Sequence, residues 1–338
     1  MKVLTFGELL LRLAAPGYNK LFQKDVLECT FCGGEANVAV SLANFGVASV
    51  FVTKLPDSDV GKAAANSLKY FNVDTSKIIF GQGRMGLFYL EKGASQRPSK
   101  VIYDRADSAV ACSTPDEYNW DSLFGGVDWF HFTGISPALS ETVRETTLQA
   151  CKYAKQKGIA VSCDLNFRNK LWSSEQAKAT MTKLMPYVDV CIGNEEDAEK
   201  TLGIVTNSNV ECGKLDRDAY IDVAKQIADN YGCKYVAITL RESYSASVNG
   251  WSAMLYAGQA AYFSKKYDIQ LVDRVGGGDS FAGGLIYGLM HQLAPQDVIE
   301  FAVAASCLKQ TIEGDYNRVS VDDVYALMES GGSGRIKR

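Results

Sequence analysis

Histidine is almost missing. Two occur in 338 residues, too few to complete an ordinary zinc site with the nine scattered cysteines. Cys29 and Cys32 are separated by two residues but stand alone, with no second pair nearby. An odd cysteine count without a framework implies reduced thiols, mostly core filler, and a cytoplasmic protein is the expectation. Proline is also sparse, at seven residues, and no long Pro/Ser/Gly tract divides the chain. That argues for one main domain over residues 1–338. No apolar run reaches about 18 residues, the length of a membrane helix. The N-terminus lacks the charged, apolar and small-residue succession of a signal peptide. An excess of positive charge is absent too: 35 Lys and Arg face 39 Asp and Glu, a net charge of −4. No global basic field attracts nucleic acid. The pattern GxxxxGK[ST] does not occur, which excludes a Walker-type NTPase.

What the chain does have is rhythm. Apolar runs of strand length recur at Val3–Phe6, Val50–Thr53, Trp129–Phe132, Ile159–Cys163, Val188–Ile192 and Tyr235–Leu240. Helical stretches lie between several of them. One is capped by Ser140 and ended by Gly158; another, Asn37–Phe45, ends at Gly46. Strands that are apolar throughout and alternate with helices predict a doubly wound α/β fold: a mostly parallel sheet with helices on both faces. Residues 84–114 break the rhythm. They read as a hairpin, Gly86–Glu91 and Lys100–Arg105 around a turn at Gly93–Pro98. Residues 9–31 are similarly extended. The two segments predict either a small β-layer projecting from the main sheet or antiparallel edge strands.

Open parallel sheets place ligands beyond the carboxyl ends of their strands. That edge gathers polar residues here: Asp164, Asn166 and Arg168 in DLNFR, then Asn194, Glu195, Glu196 and Asp197, then Arg241 and Glu242. Any one run could be a solvated loop, but three in register favour a site. Near the C-terminal third stands DRVGGGDSF at 273–281, with Gly276, Gly277 and Gly278 leading into a helix that runs from Asp279 to about His291. Glycines let an anion approach the unpaired N–H groups of a helix start. A plain Asp cap after a flexible turn is the ordinary alternative. In the functional reading, the Asp279 carboxylate accepts the proton of a hydroxyl that attacks a bound phosphoryl group.

GGGD at 276–279 resembles the GAGD signature of the PfkB (ribokinase-like) carbohydrate kinases. GGEANVAVSLANFG at 33–46 is similar to that family's N-terminal signature, and the likeness runs from GELLLRL to TIEGDYN at 311–317. The resemblance implies a doubly wound domain with a small β-sheet lid, matching the 9–31 and 84–114 segments. It also implies transfer of the ATP γ-phosphoryl group to a sugar hydroxyl with magnesium, with potassium as a further candidate. Asp279 would be the base, and the N–H groups of Gly276, Gly277 and Gly278 the anion hole. Within the family the pattern is most similar to kinases of 2-keto-3-deoxygluconate. That likeness implies a substrate site of Gly33, Gly34, Glu35, Asn37, Tyr89, Tyr103, Arg105, Ile135, Arg168 and Asp315. Arginine suits a sugar acid, because its planar fork pairs bidentately with a carboxylate. Where the family's fructokinases carry an aspartate for sugar hydroxyls, this chain has Arg12.

Two departures stand out. The family's magnesium-linked NxxE reads Asn194–Asp197, one methylene shorter, so Asp197 would reach the ion through water. The nucleotide loop reads TLRESYSAS at 239–247, without the family's glycines or lysine, which leaves Arg241 to supply the cation. Asn166, Asn194, Thr239, Arg241 and Ser306 are the nucleotide-side candidates by resemblance. The partners expected are a small sugar acid and ATP, with no nucleic acid or membrane, and a homo-oligomer is implied by family habit. The same motifs leave open a neutral-sugar kinase, such as a fructokinase, and a sugar-acid-binding protein without transfer.

Overall fold

The computed structural model describes residues 1–205 and 217–330. β1 (Lys2–Phe6) leads through Gly7 into β2 (Leu10–Ala14) and β3 (Glu28–Cys32), after which α1 (Gly34–Asn44) returns the chain to β4 (Ala48–Val52). Short strands β5 (Lys54–Pro56) and β6 (Ile79–Gly81) flank α2 (Asp59–Lys69). β7 (Gly86–Glu91) and β8 (Lys100–Asp104) form an antiparallel hairpin. Alternation then settles in: α3 (Trp120–Leu123), β9 (Trp129–Thr133), α4 (Glu141–Gln156), β10 (Ala160–Asp164), α5 (Ser174–Leu184), β11 (Val190–Gly193), α6 (Glu195–Leu202), α7 (Arg217–Tyr231) and β12 (Tyr235–Ser243). After the last three strands, β13 (Val248–Ala257), β14 (Ala260–Phe263) and β15 (Tyr267–Gln270), come α8 (Gly277–Met290), α9 (Pro295–Lys309) and α10 (Val321–Ser330).

The main sheet runs β14-β13-β12-β11-β10-β9-β1-β4, with β15 also on β13. From β4 to β12 every pairing is parallel, and β13 reverses direction. Both faces are covered, which is why these strands read as unbroken apolar runs. All five residues of β9 are buried. Alternate residues feed opposite cores, as the pleat requires. Leu4, Phe130 and Val161 pack with Val143 and Ala150 of α4 and Met181 of α5. Val3, Trp129 and Ile192 pack with Leu42 of α1, Phe281 and Leu285 of α8, and Phe301 of α9. Among the described residues, no helix is long and apolar enough to cross a membrane.

The two irregular segments meet in a separate four-stranded sheet, β3-β2-β7-β8. It stands over the carboxyl edge of the main sheet. There the strand order reverses, since β1 is followed in sequence by β4 on one side while β9 lies on the other. This is the switch point at which a doubly wound sheet opens a crevice. The fold therefore puts the ends of β1, β9, β10, β11 and β12 under a lid.

Candidate active site

Between lid and sheet edge lies a cavity of about 730 Å³. Its floor is the start of α8, where one expectation needs correcting. Asp279 does not cap that helix. The N-cap is Gly276, in the left-handed region at φ 81°, and Asp279 is the third helical residue. No side chain caps the start, but the Gly277 N–H donates to the Arg274 carbonyl at 3.2 Å. Of the three glycines expected to form an anion hole, only Gly276 and Gly278 therefore line the cavity, where the N–H groups of a helix start favour an anion. Gly276 is required on two counts, its positive φ and the 2.1 Å at which a Cβ would meet the Asp315 carbonyl. Gly278 has open space where a side chain would stand and lines the cavity.

Released from capping, Asp279 turns toward α1. Asn37 Nδ2 donates to its Oδ2 at 2.6 Å, while Asn37 Oδ1 accepts the Gly33 N–H at 3.3 Å. Burial pushes the Asp279 carboxyl up to about 7; the Asn37 hydrogen bond opposes this, and Asp315 and Glu35 add to it. A carboxyl at that value is poised as a general base near neutrality. Gly33 admits no side chain, because a Cβ would sit 2.0 Å from the Glu8 carbonyl. Gly34 lies beneath Asp279 Oδ1.

Glu35 lines the same cavity and serves as a brace through one of its oxygens. Its Oε1 accepts the Thr133 N–H at 3.0 Å, the Thr133 hydroxyl at 2.7 Å and the Ser136 hydroxyl at 2.6 Å. It ties α1 to the end of β9, beside Ile135.

The two arginines differ sharply. Arg105 is buried and donates from Nε to Glu8 Oε2 at 2.7 Å, with Nη2 on the same oxygen. Ser108 donates to the other oxygen of Glu8. Arg105 lines the cavity, yet its charge is already matched. Arg168 is exposed and donates only to the neighbouring Phe167 carbonyl, at 2.9 Å. It is the opposing positive charge for Asp164, Asp197 and Asp279 alike. Asp315 is also engaged: Arg12 of β2 donates to Asp315 and, at 2.6 Å, to Asp273.

Tyr89 is a second correction. Register pairs Tyr103 with Phe88 and Tyr89 with Ile102, and residues directly opposed share a face. Phe88, Leu90, Val101 and Tyr103 line the cavity, whereas Tyr89 faces the other way, its ring 6.1 Å from that of Phe22. Tyr103 lies beneath the Arg105 guanidinium, 5.3 Å from ring centre.

On the nucleotide side, Asn166, Asn194, Asp197, Thr239 and Arg241 all line the cavity. Ser306 does not. It is fully buried and donates to the Gly277 carbonyl at 2.7 Å, fastening α9 to the start of α8, so the expectation of a nucleotide contact is corrected to a bond between helices. Asn194 and Asp197 form a reciprocal capping box on α6, and Asp197 Oδ1 also accepts the Phe167 N–H at 2.8 Å. Burial raises the Asp197 carboxyl. Asp164 is pushed well above the carboxylate range by burial, then by Asp197 and Asp279. Asn166, at φ 36°, leaves its Oδ1 buried without a partner.

The sequence reading passed over several groups. Arg274 lines the cavity, and burial followed by the charge of Arg241 lowers its pKa. Two neighbouring cations that form no ion pair among the described residues suit a polyanion. Its only signal was adjacency to the glycine turn. Glu8, the partner of Arg105, sits 97 residues away in sequence. The lid also reaches the 239–247 loop: Ser95 N–H donates to Ser247 Oγ at 2.9 Å, and Ala246 N–H to the Ser95 carbonyl at 2.8 Å.

Comparison with known proteins follows the same line. A family model described as pfkB family carbohydrate kinase matches residues 1–320. A 2-dehydro-3-deoxygalactonokinase of Haloferax volcanii is 32% identical over 333 residues, 98% of either chain. A 2-dehydro-3-deoxygluconokinase of Bacillus subtilis is 28% identical over 93% of this chain and 91% of its own. The crystal structure of 2-dehydro-3-deoxygluconokinase from Thermotoga maritima matches with a TM-score of 0.94 and 47% identity. It covers 98% of this chain and 100% of that one.

Proposed function

The chain belongs to the pfkB family of carbohydrate kinases, and from that premise we propose that it phosphorylates a 2-keto-3-deoxy sugar acid, 2-keto-3-deoxygluconate first among them, at its terminal hydroxyl with ATP. The observation that carries the substrate class is Arg168, a cavity cation that forms no ion pair among the described residues. A neutral sugar gives such a charge nothing to pair with, whereas a carboxylate matches its fork. The names of the similar proteins from Haloferax, Bacillus and Thermotoga support the same class.

The hydroxyl oxygen attacks the γ-phosphorus as the bond to the ADP oxygen breaks, and the hydroxyl proton passes to Asp279. Asn37 holds Asp279 Oδ2, which leaves Oδ1 to take the proton. N–H groups at the uncapped start of α8 meet the charge that grows on the phosphoryl oxygens. Arg241 and Arg274 receive the remaining phosphates. Phe88, Val101 and Tyr103 cover the sugar and exclude water that would otherwise accept the phosphoryl group.

Magnesium, bound with the nucleotide, would neutralise phosphate charge. Asp164, Asp197 and the unpartnered Oδ1 of Asn166 fit that task. No group of three or more metal-binding side chains stands among the described residues, so the ion would keep much of its water shell, as magnesium does. A coupled assay across 2-keto-3-deoxygluconate, its galactonate epimer, fructose and ribose tests the reading. Highest kcat/KM on a keto-deoxy acid is expected; preference for fructose would overturn it in favour of a neutral-sugar kinase.

A further inference from the structure

We infer that Lys309 is a built-in cation that positions the glycine turn, taking the place a potassium ion would otherwise fill. Lys309 is the last residue of α9, and none of it is exposed. Its ammonium donates to the backbone carbonyl of Asp273 at 3.0 Å and to that of Val275. These two carbonyls lie on the connection that runs directly into Gly276. The turn thus has two chemical sides. Gly276 and Gly278 line the cavity and leave their N–H groups to an anion, and the preceding carbonyls gather around a positive charge.

The two sides share peptide groups. The carbonyl of Val275 and the N–H of Gly276 belong to one peptide unit, so a cation on the oxygen polarises the N–H at its other end. A buried ammonium is costly unless paired, and here two backbone carbonyls accept from it while the carboxylates of Asp273, Asp315 and Asp279 supply opposing charge. Burial lowers the Lys309 pKa, Asp273, Asp315 and Asp279 oppose that, and Arg12 works with it. Asp273 accepts the Val275 N–H at 3.2 Å, the Gly314 N–H at 3.2 Å and Arg12 at 2.6 Å, while Arg12 also holds Asp315. Arg12 and Lys309 together balance Asp273 and Asp315. Without Lys309 the shell behind the turn would carry an uncompensated negative charge, facing the phosphoryl group through a single peptide layer.

Potassium, the further cofactor considered from the sequence, therefore does not fit at these carbonyls. An ammonium already stands on them, and a second cation would meet Lys309 and Arg12 at close range. The inference rests on reading the turn as the phosphoryl-binding element.

The test begins with the unaltered enzyme, assayed with the tetramethylammonium salt of ATP and then with added potassium or sodium. Unchanged kcat is expected, and activation by potassium would overturn the inference. Lys309→Ala should lower kcat by roughly 10- to 100-fold, the scale of a small misplacement of reacting groups, with little change in the sugar KM. Potassium or ammonium ion, but not tetramethylammonium, should restore part of kcat and raise the thermal midpoint of the variant. A loss that no cation repairs, with a midpoint indifferent to potassium, would reduce Lys309 to core packing. Lys309→Gln, which keeps a donor without the charge, carries the same two measurements if the alanine variant does not fold. The thermal arm reads cation binding without turnover. An enzyme inactive on every sugar would thus fail the kinase reading while leaving this one to be decided.

Discussion

The two walls of the cavity handle charge in opposite ways. On the lid side every arginine is matched: Arg105 to Glu8, and Arg12 to Asp273 and Asp315. On the sheet-edge side, Arg168 forms no ion pair among the described residues, Arg241 and Arg274 are neighbouring cations, and Asp164 and Asp279 are held protonated-leaning by burial and by like charge. Matched charges shape a wall; unmatched ones await a ligand. The contrast separates residues already engaged from those left to a ligand, although Arg105, Arg168, Arg241 and Arg274 all line one space.

The sharpest way to break that contrast is at Asp279. Asp279→Asn should lower kcat by roughly 10²–10⁴-fold, the range for removing a general base. In the unaltered enzyme kcat/KM should climb with pH and level off above about 7, the value to which burial pushes this carboxyl. The same shift predicts a gain in stability. A carboxyl raised in the fold favours folding only while protonated, so its stabilising effect is lost as pH rises from about 4 through about 7. Asp279→Asn should therefore raise the thermal midpoint at about pH 8, and the gain should vanish on acidification toward about pH 4. A flat difference across that range would remove the raised pKa from the account.

Next come the two arginines. Arg105→Ala leaves Glu8 buried and unpaired, which costs about 3–5 kcal/mol when one partner of a buried pair is removed. Thermal unfolding should fall steeply, and activity on acidic and neutral sugars should fall together. Arg168→Ala should fold normally and lose roughly 10- to 100-fold in kcat/KM on 2-keto-3-deoxygluconate, the equivalent of about 1.5–3 kcal/mol for one charge-assisted bond. Residual activity on fructose should barely change, and lysine should restore only part of the loss. Equal behaviour of the two variants would erase the distinction between the walls.

The smallest effect sharpens the lid itself. Tyr103→Ala should raise the sugar KM and the ratio of ATP hydrolysis to sugar phosphorylation. Tyr89→Ala, on the outward face, should leave both near their starting values. A larger effect at Tyr89 would mean that the outer face meets substrate in another arrangement of the lid.

Much of this was legible in the sequence, for identifiable reasons. Parallel strands buried on both faces announce themselves as apolar runs, and Ser140 and Gly158 bound a helix that forms at Glu141–Gln156. The glycine turn was visible because main chain must approach main chain there. What stayed hidden depends on single-residue phase or on distance along the chain. Whether Asp279 is N-cap or third residue turns on the φ of Gly276, which three consecutive glycines do not specify. Tyr89 and Phe88 exchange faces with a one-residue slip of register. The pairing of Arg105 with Glu8, and of Lys309 with the carbonyls before the turn, joins residues that no local pattern connects.

The contact between the lid tip and the 239–247 loop has a thermodynamic consequence. Two hydrogen bonds, at Ser95 with Ser247 and Ala246, span what the sequence likeness assigns to separate ligands. A sugar that shifts the lid must carry that loop along or break both bonds. Linkage makes any such effect symmetrical. Whatever factor the sugar imposes on the affinity for nucleotide, the nucleotide imposes on the affinity for sugar, so the order in which the two arrive can change the route to the ternary complex but never its stability.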